Sequence, residues 1–216
     1  MTVVLATANP DKAREIVAIV TGTAGEAIEI RPRPTAVPEV EETGETLEEN
    51  ARLKGQALVQ ATGLPAIADD TGLEVDALDG APGVYSARFA GPGASYADNV
   101  EKLLADLAAA GAAGPESRRA RFRTVAIACF PDRGEIVAHG VVEGVIAGEG
   151  RGTNGFGYDP VFVPDGGDGR TFAEMRPGEK DAVSHRGRAF RALAGELARR
   201  FEESSPPVSG SGPPPA

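Results

Sequence analysis

The chain has 216 residues, 41% of them hydrophobic, enough for one large domain or two closely joined lobes with a real core. Its 22 basic and 32 acidic side chains leave a net charge of −10, which excludes a surface built for duplex nucleic acid or anionic lipid and requires any phosphate site to be locally basic. No run approaches the roughly 18 apolar residues needed to span a bilayer, and residues 2–8 lack the basic flank and length of a signal sequence, so a cytoplasmic protein without a membrane partner is expected. The single Cys129 sits in an apolar run and reads as a small buried hydrophobe.

Val3, Val4, Leu5 and Ala6 read as a buried strand, after which Ala13, Ile16, Val17 and Val20 recur at helical spacing. Asn9 before Pro10 is a good N-cap and first-turn pair, so the loop 7–12 feeds a helix start, and Gly22 is the expected stop. A second helix is predicted over 46–61, opened by the capping box Thr46-Leu47-Glu48-Glu49 and closed near Gly63 and Pro65. Ala66-Ile67-Ala68 then form a short strand ending in Asp69 and Asp70, followed by Thr71, Gly72 and another short strand over 73–78. Alternate residues of an extended segment face opposite sides, so both carboxylates aim at one ion only if the chain bends, and Gly72 can supply the bend.

A third helix is predicted from Ser95, with Val100, Leu103, Leu104 and Leu107 on one face. Segments 121–130 and 135–146, rich in β-branched residues and separated by turn residues, read as a hairpin of long strands. A glycine-rich loop over 148–157, a strand over 160–163 and a helix over 184–201, with Phe190, Leu193, Leu197 and Phe201 inward, complete a mixed α/β pattern. Residues 204–216, rich in proline, serine and glycine, have too little apolar bulk to offset the entropy of ordering and are expected to be disordered, leaving 1–203 as the functional domain.

Paired carboxylates suit a hard cation such as Mg²⁺, which keeps several waters and holds substrate phosphates, although Asp-Asp-Thr-Gly in isolation also fits an aspartate-rich turn. The segment 7–12 adds hydroxyl, amide and ammonium groups to the free N–H groups of a helix start, which is anion-binding chemistry, while Lys12 reads equally as a solvated lysine. Asn50 and Lys54, four residues apart, share a helix face, and Glu39, Glu41, Glu42 and Glu45 crowd the preceding loop. Phe156 and Tyr158 alternate with glycines and could stack on a base or pack their own turn. His185 and Arg186 stand at a helix N-terminus, where cations oppose the macrodipole unless an anion is bound.

Taken in order, the blocks Val3-Val4-Leu5-Ala6-Thr7-Ala8-Asn9, Glu41-Glu42-Thr43-Gly44, Ala68-Asp69-Asp70-Thr71-Gly72-Leu73, Gly80-Ala81-Pro82-Gly83-Val84-Tyr85-Ser86-Ala87-Arg88, Gly155-Phe156-Gly157-Tyr158-Asp159-Pro160 and Ser184-His185-Arg186-Gly187 resemble the inosine triphosphate pyrophosphatase (Ham1-like) family. The resemblance implies a mixed α/β fold with a long curved sheet and two lobes around a cleft, a homodimer, and Mg²⁺-dependent hydrolysis of dITP, ITP or XTP to the monophosphate and pyrophosphate. It implies Asp70 as metal ligand and general base with Asp69 in support, and Glu42 as the second metal ligand. Thr7, Ala8, Asn9, Pro10, Asp11, Lys12, Lys54 and Thr71 would contact sugar and phosphates. Phe156, Gly157, Tyr158 and Asp159 would hold base and ribose, Lys180 would bind substrate, and His185 with Arg186 would read the base. Ala8 and Thr71 depart from the glycine and serine many members carry, without loss of a needed group. A pyrophosphatase for modified pyrimidine or methylated nucleotides, and a nucleotide sensor without turnover, remain the alternatives.

Overall fold

The structure, a computed structural model, describes residues 1–204; of the tail expected to be disordered, Ser204 instead ends the last helix, and 205–216 lie outside the described residues. In chain order the elements are β1 (Thr2–Leu5), α1 (Pro10–Ala24), β2 (Glu29–Arg31), α2 (Leu47–Thr62), β3 (Ala66–Val75), β4 (Pro82–Gly83), α3 (Tyr96–Ala109), β5 (Arg119–Cys129), β6 (Glu135–Ile146), β7 (Phe162–Pro164), α4 (Pro177–Val183) and α5 (His185–Ser204). Local chemistry explains the helix starts. The Asn9 side chain accepts the backbone N–H groups of Asp11 and Lys12, and the Thr46–Glu49 capping box is formed. Helix α1 runs past Gly22 to a stop at Gly25, because burial of Ile19 and Val20 outweighs the roughly 1 kcal/mol penalty of an interior glycine.

The elements form a mixed α/β fold around one strongly curled sheet, of order β2-β1-β3-β5-β6-β7 with β4 on the side of β3. Strands β1, β2 and β3 are mutually parallel, and the remaining pairings are antiparallel. One core, including Val3, Leu5, Ile16, Ile67, Ala128 and Phe190, lies where α1 and α5 cover the sheet. A second, including Leu73, Leu103, Phe122, Val142, Phe162 and Phe172, lies at the far end of the same strands. Long β3, β5 and β6 are therefore the shared floor of two lobes, and Asp69 to Thr71 fall where one core gives way to the other. On the opposite sheet face, Ala51 of α2 packs on Ala68, Val125 and Ile127.

The expectation of two short strands broken at Gly72 does not hold. All of Ala66 to Val75 pairs with Cys129 to Ala120, so the carboxylates stand in the middle of one strand, and 76–78 form a 3-10 turn. Gly72 has another role: a Cβ there would lie 2.7 Å from the Gly83 carbonyl oxygen, so its bareness admits β4 alongside. The last strand starts at Phe162, helix α4 is additional, and Phe201 is 41% exposed rather than turned inward. Seven residues opened by a proline are too few for α4 to display a helical repeat.

Gly140 of β6 decides where α5 begins. It pairs with Thr124, which pairs with Thr71. A Cβ on Gly140 would overlap the His185 carbonyl oxygen and lie 2.7 Å from the Ala189 nitrogen, so the first turn of α5 rests directly on sheet backbone. Gly140→Ala is expected to destabilise by about 1–3 kcal/mol through overpacking. Urea denaturation measures this, and a variant with an unchanged midpoint would contradict the seating.

Candidate active site

Between the lobes lie two adjoining hollows of about 300 and 110 Å³ that share Asn9, Lys12, Glu42 and Ala87. The larger, named the cationic end for Lys12, Arg33 and Lys54, is lined also by Thr7 and Ala8 and by the acids Glu39, Glu42 and Asp69. The smaller is the aromatic end, lined by Phe122, Phe156, Tyr158, His185 and Arg186 together with Asp70 and Thr71.

Alternation along β3 sends the two acids to different partners. Asp69, on the α5 side, lies 3.3 Å from Lys12 Nζ and 3.8 Å from Arg186 Nε. Asp70, on the α2 side, accepts from Lys54 Nζ at 2.9 Å. Burial pushes the Asp69 carboxyl up, but the charges of Lys12, Arg186 and Lys54 together outweigh it and hold the group below the ordinary carboxylate range. Burial, reinforced by Glu42, prevails over Lys54 and Lys12 at Asp70 and raises its pKa. Neighbouring carboxyls are thus driven apart in proton affinity, a pattern that separates a permanently charged role from a proton-accepting one.

Lys54 Nζ also donates to Glu42 Oε1 at 3.1 Å, so Asp70 and Glu42 converge on one cation. Glu42 is held in turn by Arg88 Nη1 at 3.0 Å. Among the described residues no group of three or more His, Cys, Asp or Glu side chains is arranged around a metal position. Two hard carboxylates converging on one positive charge, beside a cation-lined hollow, fit an ion such as Mg²⁺ that takes one or two protein carboxylates plus phosphate oxygens and water.

A second buried network holds the base of the aromatic end. Glu15 of α1 accepts from Lys180 Nζ at 2.7 Å and from Arg186 Nη1 at 2.6 Å. Lys180 Nζ also donates to Asp159 Oδ2 at 2.5 Å, and Arg186 Nη2 donates to Thr71 Oγ1 at 3.3 Å. The positive charge at the start of α5 is therefore neutralised within the protein and needs no bound anion. His185 stacks on Phe122 with ring centroids 4.3 Å apart. Burial first, then the charges of Arg186, Lys180 and Lys12, hold its pKa well below the ordinary range, so the imidazole is neutral at pH 7. Among the described residues His185 Nδ1 and Arg186 Nε find no hydrogen-bond partner although buried, and both residues line the aromatic hollow.

Most of the residues singled out from the sequence thus converge. Thr7, Ala8, Asn9, Lys12, Lys54, Asp69, Asp70, Thr71, Glu42, Phe156, Gly157, Tyr158, Asp159, His185 and Arg186 line the two hollows. Asp11 and Lys180 instead face a neighbouring depression behind Phe156, and Pro10 occupies the first turn of α1. Sequence reasoning missed Glu15, a lone glutamate on an amphipathic helix with nothing local to distinguish it. It also missed Arg33, Arg88 and Tyr96, which reach the cleft from loops or another lobe.

Asp181 lies beside this network, with Oδ1 buried and without a hydrogen-bond partner among the described residues. Burial, then the Glu15 charge, pushes its carboxyl up to about 6. The folded state therefore holds this proton more tightly than the unfolded chain, and stability falls as pH rises from about 4 to about 6. Discounted for solvent screening of a partly exposed group, Asp181→Asn should stabilise by about 1 kcal/mol at pH 7, with the gain disappearing below about pH 4. Urea melts at the two pH values measure it; equal gains at both would contradict this assignment.

Fold and site together define an α/β protein whose curled sheet carries two lobes around a cleft with a cationic end, an acidic centre and an aromatic end. The chain belongs to the Ham1 family, whose model matches residues 3–196. It is 44% identical over 202 residues to the dITP/XTP pyrophosphatase of Caulobacter vibrioides, covering 90% of this chain and 96% of the relative. The dITP/XTP pyrophosphatase of Methylococcus capsulatus is 47% identical over 197 residues, covering 90% and 94%. The solved structure of a HAM1 protein from Coxiella burnetii superposes with a TM-score of 0.81 at 41% identity, over 92% of this chain and 99% of that one.

Proposed function

We propose that this protein hydrolyses noncanonical purine nucleoside triphosphates, dITP, ITP and XTP, to the monophosphate and pyrophosphate, and so cleanses the nucleotide pool. The observation that supports this most directly is the convergence of Asp70 and Glu42 on one cation at the junction of a cation-lined and an aromatic-lined hollow. Family membership and the names of its relatives point the same way.

The polyphosphate lies in the larger hollow, against the helix start at Asn9 and the ammonium groups of Lys12 and Lys54. Asp70 and Glu42 hold Mg²⁺, which when bound neutralises phosphate charge. Lys54 shifts from Asp70 towards phosphate oxygens as these arrive. Asp70 then accepts the proton of the water that attacks the α-phosphorus. The bond to the pyrophosphate oxygen breaks, and pyrophosphate leaves along the cationic hollow. Asp69 stays ionised and keeps Lys12 in place.

Purine and ribose enter the smaller hollow, on Phe156, Gly157, Tyr158 and Asp159. Lys180 acts by fixing Asp159 and supporting Phe156, whose ring centroid it approaches to 4.9 Å. Hypoxanthine and xanthine present an acceptor oxygen where adenine presents an amino donor, so Arg186 donors would pair with the former and be left unpaired by the latter. Residues 1–203 form the functional unit of a cytoplasmic enzyme. The family resemblance supports a homodimer.

A panel of dITP, XTP, dATP, dTTP and dUTP, with Mg²⁺ present or chelated, tests the reading. Pyrophosphate release should favour the 6-oxo purines strongly and vanish on chelation. Orthophosphate as product, or equal rates on dTTP, would refute it.

A further inference from the structure

Tyr96, the first residue of α3, reaches across the mouth of the cleft. Its hydroxyl accepts from Asn9 Nδ2 at 2.8 Å. Its ring lies 5.8 Å from that of Phe156, tilted by 40°. Asn9 stands where the two hollows meet, and Phe156 lines the aromatic one, as does Tyr96 itself. Asn9 Oδ1 is already engaged with the N–H groups of Asp11 and Lys12, so the bond to Tyr96 uses the remaining half of the amide. The Ser95–Asp98 capping box holds Tyr96 in helical geometry, yet the residue stays 43% exposed.

We propose that Tyr96 is a substrate-binding residue that closes the outer side of the aromatic hollow over the ribose and purine of a bound nucleotide, an assignment that rests on the purine triphosphate reading above. Pairing with Phe156 leaves its ring at the tilt and spacing aromatic contacts favour, so the two rings together line the hollow that a nucleotide would enter. Stacking on a ring face contributes affinity with little regard to the identity of the base. Tyr96 therefore strengthens binding of every purine nucleotide that enters and leaves base choice to the far wall.

Tyr96→Ala should raise KM for dITP and dATP alike by about tenfold, with kcat and the ratio of the two substrates unchanged, and Tyr96→Phe should recover most of the loss because it keeps the ring. The chain has no tryptophan and only three tyrosines, so tyrosine emission offers a direct binding signal. Titration with inosine monophosphate should quench wild-type emission, and the quench should shrink in Tyr96→Phe. This second arm stands even if Tyr96→Ala fails to fold. A KM within twofold of wild type for a folded Tyr96→Ala, or an undiminished quench in Tyr96→Phe, overturns the proposal. Failure of the wild-type enzyme to release pyrophosphate from dITP would instead overturn the parent reading, whatever the variants do.

Discussion

Asp70→Asn is expected to lower kcat for dITP by about 10³-fold, since a positioned general base contributes roughly 10²–10⁴ and the same carboxylate is a proposed metal ligand. The fold should survive. The amide is nearly isosteric, Lys54 keeps Glu42 as a partner, and the removed charge was one that burial already disfavoured. Nucleotide binding should persist, because the cationic and aromatic hollows are intact. Pyrophosphate release at saturating dITP is the measurement. A residual rate within tenfold of wild type would remove Asp70 from the chemistry, and a chain acting only as a nucleotide sensor would be indifferent to the change.

Glu15→Ala is expected to give the largest loss of stability, about 3–5 kcal/mol, because it strips a shared carboxylate from two buried cations at once. Lys180 retains Asp159, but Arg186, 2% exposed, is left with a carboxylate no closer than Asp69 at 3.8 Å. For a chain of this length the melting temperature should fall by roughly 6–20 °C. Glu15→Gln keeps the shape and one acceptor and should lose less, about 1–3 kcal/mol. Thermal and urea unfolding separate the two variants. Equal, small losses would mean that the network does not hold α4 and α5 against α1.

Helices α1 and α2 were legible because their starts carry local chemistry, and α3 through its apolar spacing. Asn9-Pro10 and Thr46 with Glu49 each place a side-chain acceptor against orphan N–H groups within three residues. The β5–β6 hairpin was legible for the same reason, since its turn lies between its strands. Strand β3 was misjudged because Asp69-Asp70-Thr71-Gly72 is locally a turn former. Ten consecutive pairings with β5 override that preference, and no local pattern announces a partner more than forty residues away.

The site divides along the same line. Which residues were candidates for chemistry followed from residue type and order: acids for a cation, a helix start for phosphate, aromatics between glycines for a base. Their roles depended on placement. Asp69 and Asp70 are chemically identical neighbours, and only the α5 side of one and the α2 side of the other lower the pKa of the first and raise that of the second. Glu15, Gly140 and Tyr96 had no distinguishing signal at all, because each matters through a contact between elements remote in the chain. Short-range interactions are written in neighbouring residues and can be read there; the strength of a buried charge, the room above a bare glycine and the reach of a ring across a cleft are decided only when distant segments pack together.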